Sequence, residues 1–249
     1  MTEHLGDIRT TATAAVITGD PDRVPVLAES LGPDVRSLSA HRGFVSVEVP
    51  DALNTGQAVL VVSTGIGGPA TAIVTDELWH LGVTSIIRVG TCGSMQRHVR
   101  PGHLVIPSGI VRDEGTSRQY MPLEVPAIPD PHLLIGLVTA AREKGIPHHV
   151  GITHCKDAYS AERPFGMPMS AEWSSRWNAL RALGVLATEM EAAALFAAAT
   201  VRRIRAAAAF IPVDSSLGQD GFLAAIYGAA RAATLAMCTP ARSQGREPA

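Results

Sequence analysis

The 249-residue sequence lacks the features of several protein classes. Its three cysteines, Cys92, Cys155 and Cys238, are odd in number and have no C-x-x-C spacing, which argues against a disulfide framework and a structural zinc site. Lys and Arg number 21 against 23 Asp and Glu, so no basic field attracts nucleic acid. The apolar runs are shorter than the ~20 residues of a membrane span, and the first ten residues are too polar for a signal peptide. We expect a soluble cytoplasmic protein that binds neither nucleic acid nor membrane.

Hydrophobic residues make up 46% of the chain, enough for the core of one α/β domain. Short β-rich apolar runs alternate with Ala- and Leu-rich segments, a pattern that predicts a largely parallel central sheet with helices on both faces. The tail 239–249 has too little apolar content to pack and is expected to be disordered. The predicted strands are 14–18, 44–49, 58–63, 85–90, 104–106, 149–153 and 206–213; the predicted helices are 24–31, 69–81, 131–144, 171–183, 189–201 and 221–237.

Two predicted strands end in loops that suit an anion. Gly19 and Arg23 follow the first strand, and Arg88, Thr91 and Gly93 surround the end of the fourth. Glycine turns and helix starts present backbone N–H groups at the carboxyl edge of a sheet, where phosphate is well held. Taken singly, the first loop is equally typical of a helix cap and the second of an ordinary turn, but two cationic loops at one edge favour an anion site.

A third strand is followed by Gly65–Ala70, whose G-x-G-x-x-A pattern is also that of dinucleotide-binding proteins. That function needs an acidic residue at the end of the next strand, and 86–90 (IIRVG) has none. Close approach of a small ligand is the favoured interpretation.

On a regular helix over 189–201, the carboxylates of Glu189 and Glu191 would point about 200° apart, so they are not both expected in the core. One of them could accept hydrogen bonds from sugar hydroxyls.

Taken together and in order, these motifs resemble the nucleoside phosphorylase family, which includes uridine phosphorylases and hexameric purine nucleoside phosphorylases. The likeness extends from His4 to about Met237 and is greatest to the bacterial uridine phosphorylases. The residues that carry it are 4–6 (HLG), 19–23 (GDPDR), 39–42 (SAHR), 63–69 (STGIGGP), 88–93 (RVGTCG), 122–124 (PLE) and 189–191 (EME).

The resemblance implies a single domain over 1–238 with a twisted mixed sheet. It also implies a homo-oligomer, a hexamer built as a trimer of dimers, in which Arg42 and His4 enter a neighbour's site. Arg88, Thr91 and Glu191 would be catalytic. The implied ligands are phosphate for Gly19, Arg23, Arg42, Arg88 and Thr91; ribose for His4, Glu189, Met190 and Glu191; and the base for Cys92, Gly93, Tyr159, Arg163 and Asp214.

The base-binding segments depart from the family pattern. Uridine phosphorylases have a Phe-Tyr-x-Gly-Gln-x-Arg segment, whereas 157–163 (DAYSAER) is two residues shorter; Tyr159 and Arg163 match, but the glutamine is missing. Purine enzymes have a Ser-Asp pair where this chain has Asp214 one position early. Gly43 and Ala70 replace the Glu and Ser that bind potassium in some uridine phosphorylases, which makes that ion doubtful. No metal and no cofactor are expected, and inorganic phosphate would be a co-substrate.

The activity implied is phosphorolysis of a pyrimidine nucleoside, uridine or a modified uridine, to free base and ribose 1-phosphate, a reaction of pyrimidine salvage. Three other functions remain open at this point: a purine nucleoside phosphorylase with Asp214 as acid, a nucleoside hydrolase, and a non-catalytic nucleoside-binding protein. Retention of Arg23, Arg42 and Arg88 argues against the hydrolase, because a water nucleophile needs no cationic cluster.

Overall fold

The computed structural model describes residues 2–162, 165–214 and 216–238. Arg163 and the tail 239–249 lie outside the described residues. Two short 3-10 turns occur at Ala52–Asn54 and Tyr159–Glu162. The strands are β1 Ala14–Thr18, β2 Arg36–His41, β3 Phe44–Val49, β4 Val59–Ser63, β5 Ser85–Ser94, β6 Leu104–Asp113, β7 His148–Lys156, β8 Ala187–Glu189 and β9 Arg205–Pro212; the helices are α1 Arg23–Leu31, α2 Gly68–His80, α3 Ser117–Tyr120, α4 Pro131–Glu143, α5 Ser170–Ala182, α6 Ala192–Arg202 and α7 Gln219–Cys238.

The strands form one mixed sheet, as predicted. β1 lies between β4 and β5 and is parallel to both, while β2 and β3 add an antiparallel edge. Beyond β1, five strands pair in a closed ring. Going round it, β5 pairs with β9, β9 with β6, β6 with β7, β7 with β8, and β8 with β5 again. The sequence pattern did not predict this closure.

Helices cover both faces of the sheet, which confirms the predicted α/β architecture. All five residues of β1 are buried, and they alternate between two apolar clusters. Ala15 and Ile17 belong to the cluster that includes residues of α2 and α6, whereas Val16 belongs to the one that includes residues of α1, α4 and α7. A strand buried on both faces reads as a continuous apolar run, which is why 14–18 was predicted correctly.

Helix α7, Gln219–Cys238, is long and apolar enough by length and composition to cross a bilayer, and among the described helices it alone meets that test. The sequence expectation concerned uninterrupted apolar runs, and α7 contains Asp220 and Arg231. The residues of α7 that face inward, Ile226, Ala229 and Ala233 among them, pack in the core with α1, α4 and the sheet. Its apolar composition is explained by this packing.

One predicted helix is wrong at its start. The helix proposed for 189–201 begins only at Ala192, and Ala187–Glu189 is the short strand β8. Strand β2 was also missed, because its sequence RSLSAH is polar and the strand lies at the exposed edge of the sheet. The first of these corrections concerns an element that carries a predicted site residue, Glu189.

Candidate active site

Arg88 is the central cation of the site. It lies on β5 and is only 3% exposed. Its Nη2 donates to Glu191 Oε2, and its Nε lies 3.5 Å from Glu189 Oε2. Nε and Nη1 have no hydrogen-bond partner among the residues that the structure describes. Buried N–H groups without partners are costly, so these two nitrogens are suited to an anion that enters the site.

The Arg88 guanidinium lies across Gly90 of the same strand. A Cβ at position 90 would be 2.7 Å from Arg88 Nη2 and 2.8 Å from Cζ. Residues 88 and 90 share one face of β5, so only a glycine leaves room for the guanidinium to lie there. Gly90 is thus a site residue that sequence reasoning missed, although it stands within the quoted 88–93 motif.

Glu189 and Glu191 are both buried, each 4% exposed, contrary to the prediction that a regular helix would separate them. Glu189 ends β8, and Glu191 has a non-helical φ of −132° as the residue before α6. The Glu189 carboxylate accepts the N–H groups of Glu191 and Ala192 at 3.0 and 2.9 Å. Burial raises the pKa of Glu189, and the charge of Glu191 raises it further, against the effect of Arg88.

The glycine loop between β4 and α2 reaches the same carboxylates. The Gly67 N–H donates to Glu191 Oε1 at 2.8 Å, and Gly67 has a φ of +97°, a conformation that favours glycine. A Cβ at Gly19 would lie 3.2 Å from the Gly65 oxygen and 3.9 Å from Arg88 Nη1. The loops after β1 and β4 therefore meet at Arg88, as the predicted anion site requires.

Arg23 brings a second guanidinium to this cleft. It is the first residue of α1, one position before the helix start predicted from the sequence, and Asp22 is the N-cap. Its Nε lies 3.3 Å from Asp20 Oδ2, and its Cζ lies 5.2 Å from the Phe222 ring centroid. Burial lowers the pKa of Arg23; Asp20 opposes this, and the charge of Arg88 lowers it further. Two close guanidinium groups are a favourable environment for an anion.

The other predicted site residues of β5 follow Arg88 along the strand. Thr91 and Gly93 are half-buried and Cys92 is buried, and Met190, on the loop after β8, is half-buried. Burial raises the pKa of the Cys92 thiol, and the charges of Glu189 and Glu162 raise it further. The thiol is therefore protonated and unsuited to act as a nucleophile.

Arg42 and His4 lie away from Arg88 within one chain. Arg42 is the turn residue of the β2–β3 hairpin, with a φ of +53°, and its Nη1 lies 3.7 Å from Glu3 Oε1. His4 Nδ1 lies 2.9 Å from Glu77 Oε1. Four strand spacings separate β2 from β5, roughly 19 Å across the sheet. The structure thus groups Arg42 with the N-terminal segment that contains His4, and it places Arg42 and His4 apart from Arg88.

Two of the base-binding candidates are exposed. The Tyr159 side chain is 75% exposed, on the 3-10 turn Tyr159–Glu162. Asp214 is exposed, and its carboxylate accepts hydrogen bonds from the Ser216 backbone N–H and hydroxyl at 2.7 and 2.5 Å. These bonds lower the pKa of Asp214, which disfavours it as a proton donor at neutral pH.

The same end of β5 holds an ion pair between a buried lysine and a half-buried glutamate that sequence reasoning did not identify. Lys156 Nζ at the end of β7 lies 2.6 Å from Glu162 Oε1, and Glu162 Oε2 lies 3.0 Å from where a Cβ at Gly93 would stand. The signal available in the sequence was a lysine that ends an apolar strand. Nearby on β7, His154 Nε2 hydrogen-bonds Asp113 Oδ2 at 2.9 Å.

A family model described as "Phosphorylase superfamily" matches residues 13–236, nearly the whole described chain. The protein belongs to the phosphorylase superfamily. The match includes both anion loops, Arg88 and the buried glutamates, and ends within α7. This membership confirms the family resemblance drawn from the motifs.

Relatives within the phosphorylase superfamily agree with this assignment. The chain is 46% identical over 206 residues to a uridine phosphorylase of Treponema pallidum (strain Nichols), covering 80% of this chain and 76% of the relative. It is 36% identical over 199 residues to a uridine phosphorylase of Escherichia coli (strain K12), covering 78% and 77%. A guanosine phosphorylase of Halorubrum lacusprofundi is 37% identical over 203 residues, covering 82% and 78%. Relatives of comparable identity thus include one that is named for a purine nucleoside, guanosine.

Proposed function

We propose that the protein catalyses the phosphorolysis of uridine, or of a modified uridine, to the free base and ribose 1-phosphate. The observation that carries the proposal is Arg88, a buried cation with two unpartnered nitrogens beside two buried carboxylates. Cation and carboxylates together suit a phosphate next to a sugar. The pyrimidine base is supported by relatives named uridine phosphorylase at 36–46% identity.

In the proposed reaction, a phosphate oxygen forms a bond to C1′ as the C1′–N1 bond breaks. The electron pair of the broken bond goes to the base, and the sugar passes through a state with oxocarbenium character. Arg88 and Arg23 hold the phosphate against the sugar, and Thr91 and Gly19 add donors. The two guanidinium groups also offset the charge of the nucleophile.

Glu191 is proposed to hold the ribose 2′- and 3′-hydroxyls, supported by Met190 and Glu189. Its carboxylate already accepts three hydrogen bonds: Oε1 accepts the Gly67 N–H, and Oε2 accepts Arg88 Nη2 and the Met190 N–H. A carboxylate has about four acceptor positions, so one is open to a hydroxyl group, and the second hydroxyl has to replace the longest of these bonds, the 3.3 Å bond from Met190. Its bonds to β5 and to the glycine loop fix its orientation before the nucleoside arrives.

The proposed site is completed by a second subunit. Arg42 is 53% exposed and lies roughly 19 Å across the sheet from β5, too far to reach its own Arg88. We propose that Arg42 and His4 enter a neighbour's site in a homo-oligomer, a hexamer of three dimers. No cofactor is proposed beyond phosphate as co-substrate. All three cysteines are free and buried, in keeping with the proposed place in cytoplasmic pyrimidine salvage.

The deciding experiment incubates the purified protein with uridine, with and without inorganic phosphate, and measures uracil and ribose 1-phosphate by chromatography. Phosphate-dependent release of both products is expected. Release of uracil and free ribose without phosphate would show a hydrolase. Faster cleavage of inosine or guanosine, abolished by Asp214→Asn, would show the purine activity. Binding of uridine without cleavage would show a binding protein.

A further inference from the structure

The pair Lys156–Glu162 is not part of the site as described so far. Lys156 is 1% exposed, among the largest fully buried side chains of the protein. Its Nζ donates to Glu162 Oε1 at 2.6 Å and to Thr188 Oγ1 at 3.3 Å. The Glu162 side chain is 29% exposed, so it is open to the cleft while Lys156 is buried behind it. Burial of a charged group costs several kcal/mol before any attraction offsets it, so a lysine in this position calls for an explanation beyond packing.

A chain of hydrogen bonds connects this pair to His154. Thr188 Oγ1 accepts from Lys156 and lies 3.1 Å from His154 Nδ1. The carboxylate oxygen Asp113 Oδ2, 2.9 Å from His154 Nε2, can only accept, so Nε2 carries the ring proton and Nδ1 of a neutral ring accepts from the Thr188 hydroxyl. Burial lowers the pKa of His154, against the effect of Asp113, which agrees with a neutral imidazole. The chain orients Lys156 as a donor toward Thr188 and Glu162.

The pair lies at the base end of the cleft. Gly93 of β5 pairs with Thr188 of β8, so the partner of Lys156 is directly opposite Gly93. Glu162 Oε2 would be 3.0 Å from a Cβ at position 93, which places the carboxylate over the backbone of β5. Phosphate is assigned to Arg88, five residues earlier on the same strand. The pair is therefore beyond the sugar, on the side away from the phosphate.

We propose that Glu162 and Lys156 recognise the pyrimidine base, an inference that rests on the proposed function. The Glu162 carboxylate accepts the N3–H of uracil. The third proton of Lys156, which has no partner among the described residues, is donated to a neighbouring carbonyl oxygen of the base. Uracil presents this N–H beside carbonyl groups, whereas cytosine has a bare N3 that a carboxylate repels. The ammonium also stabilises the negative charge that the departing base acquires.

The test compares uridine with 3-methyluridine, which lacks the N3–H, in the native enzyme and in Glu162→Ala. Native kcat/KM is expected to be about 10⁴-fold higher for uridine, the size of discrimination typical of a site built to bond a substrate N–H. In Glu162→Ala this ratio should fall below about tenfold. Glu172→Ala, which removes an exposed glutamate of α5, should leave the ratio unchanged.

A purely structural role for Glu162 would lower kcat/KM equally for both nucleosides and leave the ratio at its native value, which would overturn the proposal. If Glu162→Ala does not fold, Glu162→Gln is used. Its amide can donate to the N3 of cytosine, so cytidine should improve relative to uridine by at least tenfold, and an unchanged uridine-to-cytidine ratio would refute the role. Absence of phosphorolysis of every nucleoside would instead refute the proposed function.

Discussion

Replacement of Arg88 by methionine separates its structural role from its phosphate role. Arg88 faces two carboxylates, Glu189 and Glu191, that are each 4% exposed. Removal of one partner from a buried ion pair costs about 3–5 kcal/mol, because the remaining charge stays buried without compensation. In a chain of this size 1 kcal/mol corresponds to about 2–4 °C in Tm, so a fall of about 6–20 °C is expected.

The second arm of this experiment measures stabilisation by phosphate. At a concentration 100 times Kd, a ligand that binds only the folded protein stabilises it by about 2.7 kcal/mol, which corresponds to about 5–11 °C. The native protein should show this rise in Tm with added phosphate. Arg88→Met should show none, because the two unpartnered nitrogens are lost. Arg142→Met, an exposed arginine of α4, serves as the matched control and should behave as the native protein does.

Differential scanning calorimetry with and without phosphate reads out both arms. An unchanged Tm of Arg88→Met without phosphate would refute the argument from the buried carboxylates. A phosphate-induced rise in Arg88→Met as large as in the native protein would refute the phosphate assignment. Because the two results are independent, one assignment can fail while the other holds.

Three further predictions follow from the same geometry. Glu191→Gln should lower kcat/KM for uridine by about 10²-fold, since hydrogen bonds to a charged acceptor are about twice as strong as neutral ones; cleavage of 2′,3′-dideoxyuridine by the native enzyme as fast as uridine would contradict the ribose role. Mixed subunits of Arg42→Ala and Arg88→Ala, each inactive alone, should regain activity through an intact composite site, and a fully active monomer in sedimentation would disprove sharing. Burial depresses the pKa of His154 in the folded state, so its contribution to stability is complete above the ordinary value of 6.5 and is lost as pH falls below it; urea midpoints at pH 7.5 and 5.5 should differ less in His154→Gln than in the native protein.

The closeness of Gly19 and Arg88 could be predicted from sequence because each belongs to a local motif. Gly19 and Arg23 lie within one turn of chain, and Arg88 ends an apolar run at a recognisable strand edge. The carboxyl ends of parallel strands meet at one edge, so topology alone brings the loops together. The structure places Gly19 beside Arg88 as this reasoning requires.

The buried glutamates and the base end could not be predicted in the same way. Glu189 and Glu191 were placed on one helix because the Ala-rich pattern continues without a visible start signal. Their shared burial depends on the three-residue strand β8, whose pairing partners are distant in sequence. Such long-range pairing leaves no periodic signal in a single sequence. The contact of Lys156 with Glu162 spans only six residues, but it depends on how the turn after β7 folds back over β5.

The position of β5 in the sheet has a consequence for how the enzyme can vary. It is hydrogen-bonded to β1 on one side and to β9 on the other, and its last residues pair with β8. Arg88 and Gly93 are therefore held on a strand that cannot shift its register without disrupting three neighbours. An insertion between positions 88 and 93 would change the spacing of both ends of the cleft at once. The shorter segment 157–163, by contrast, can change in length while the spacing between positions 88 and 93 stays constant.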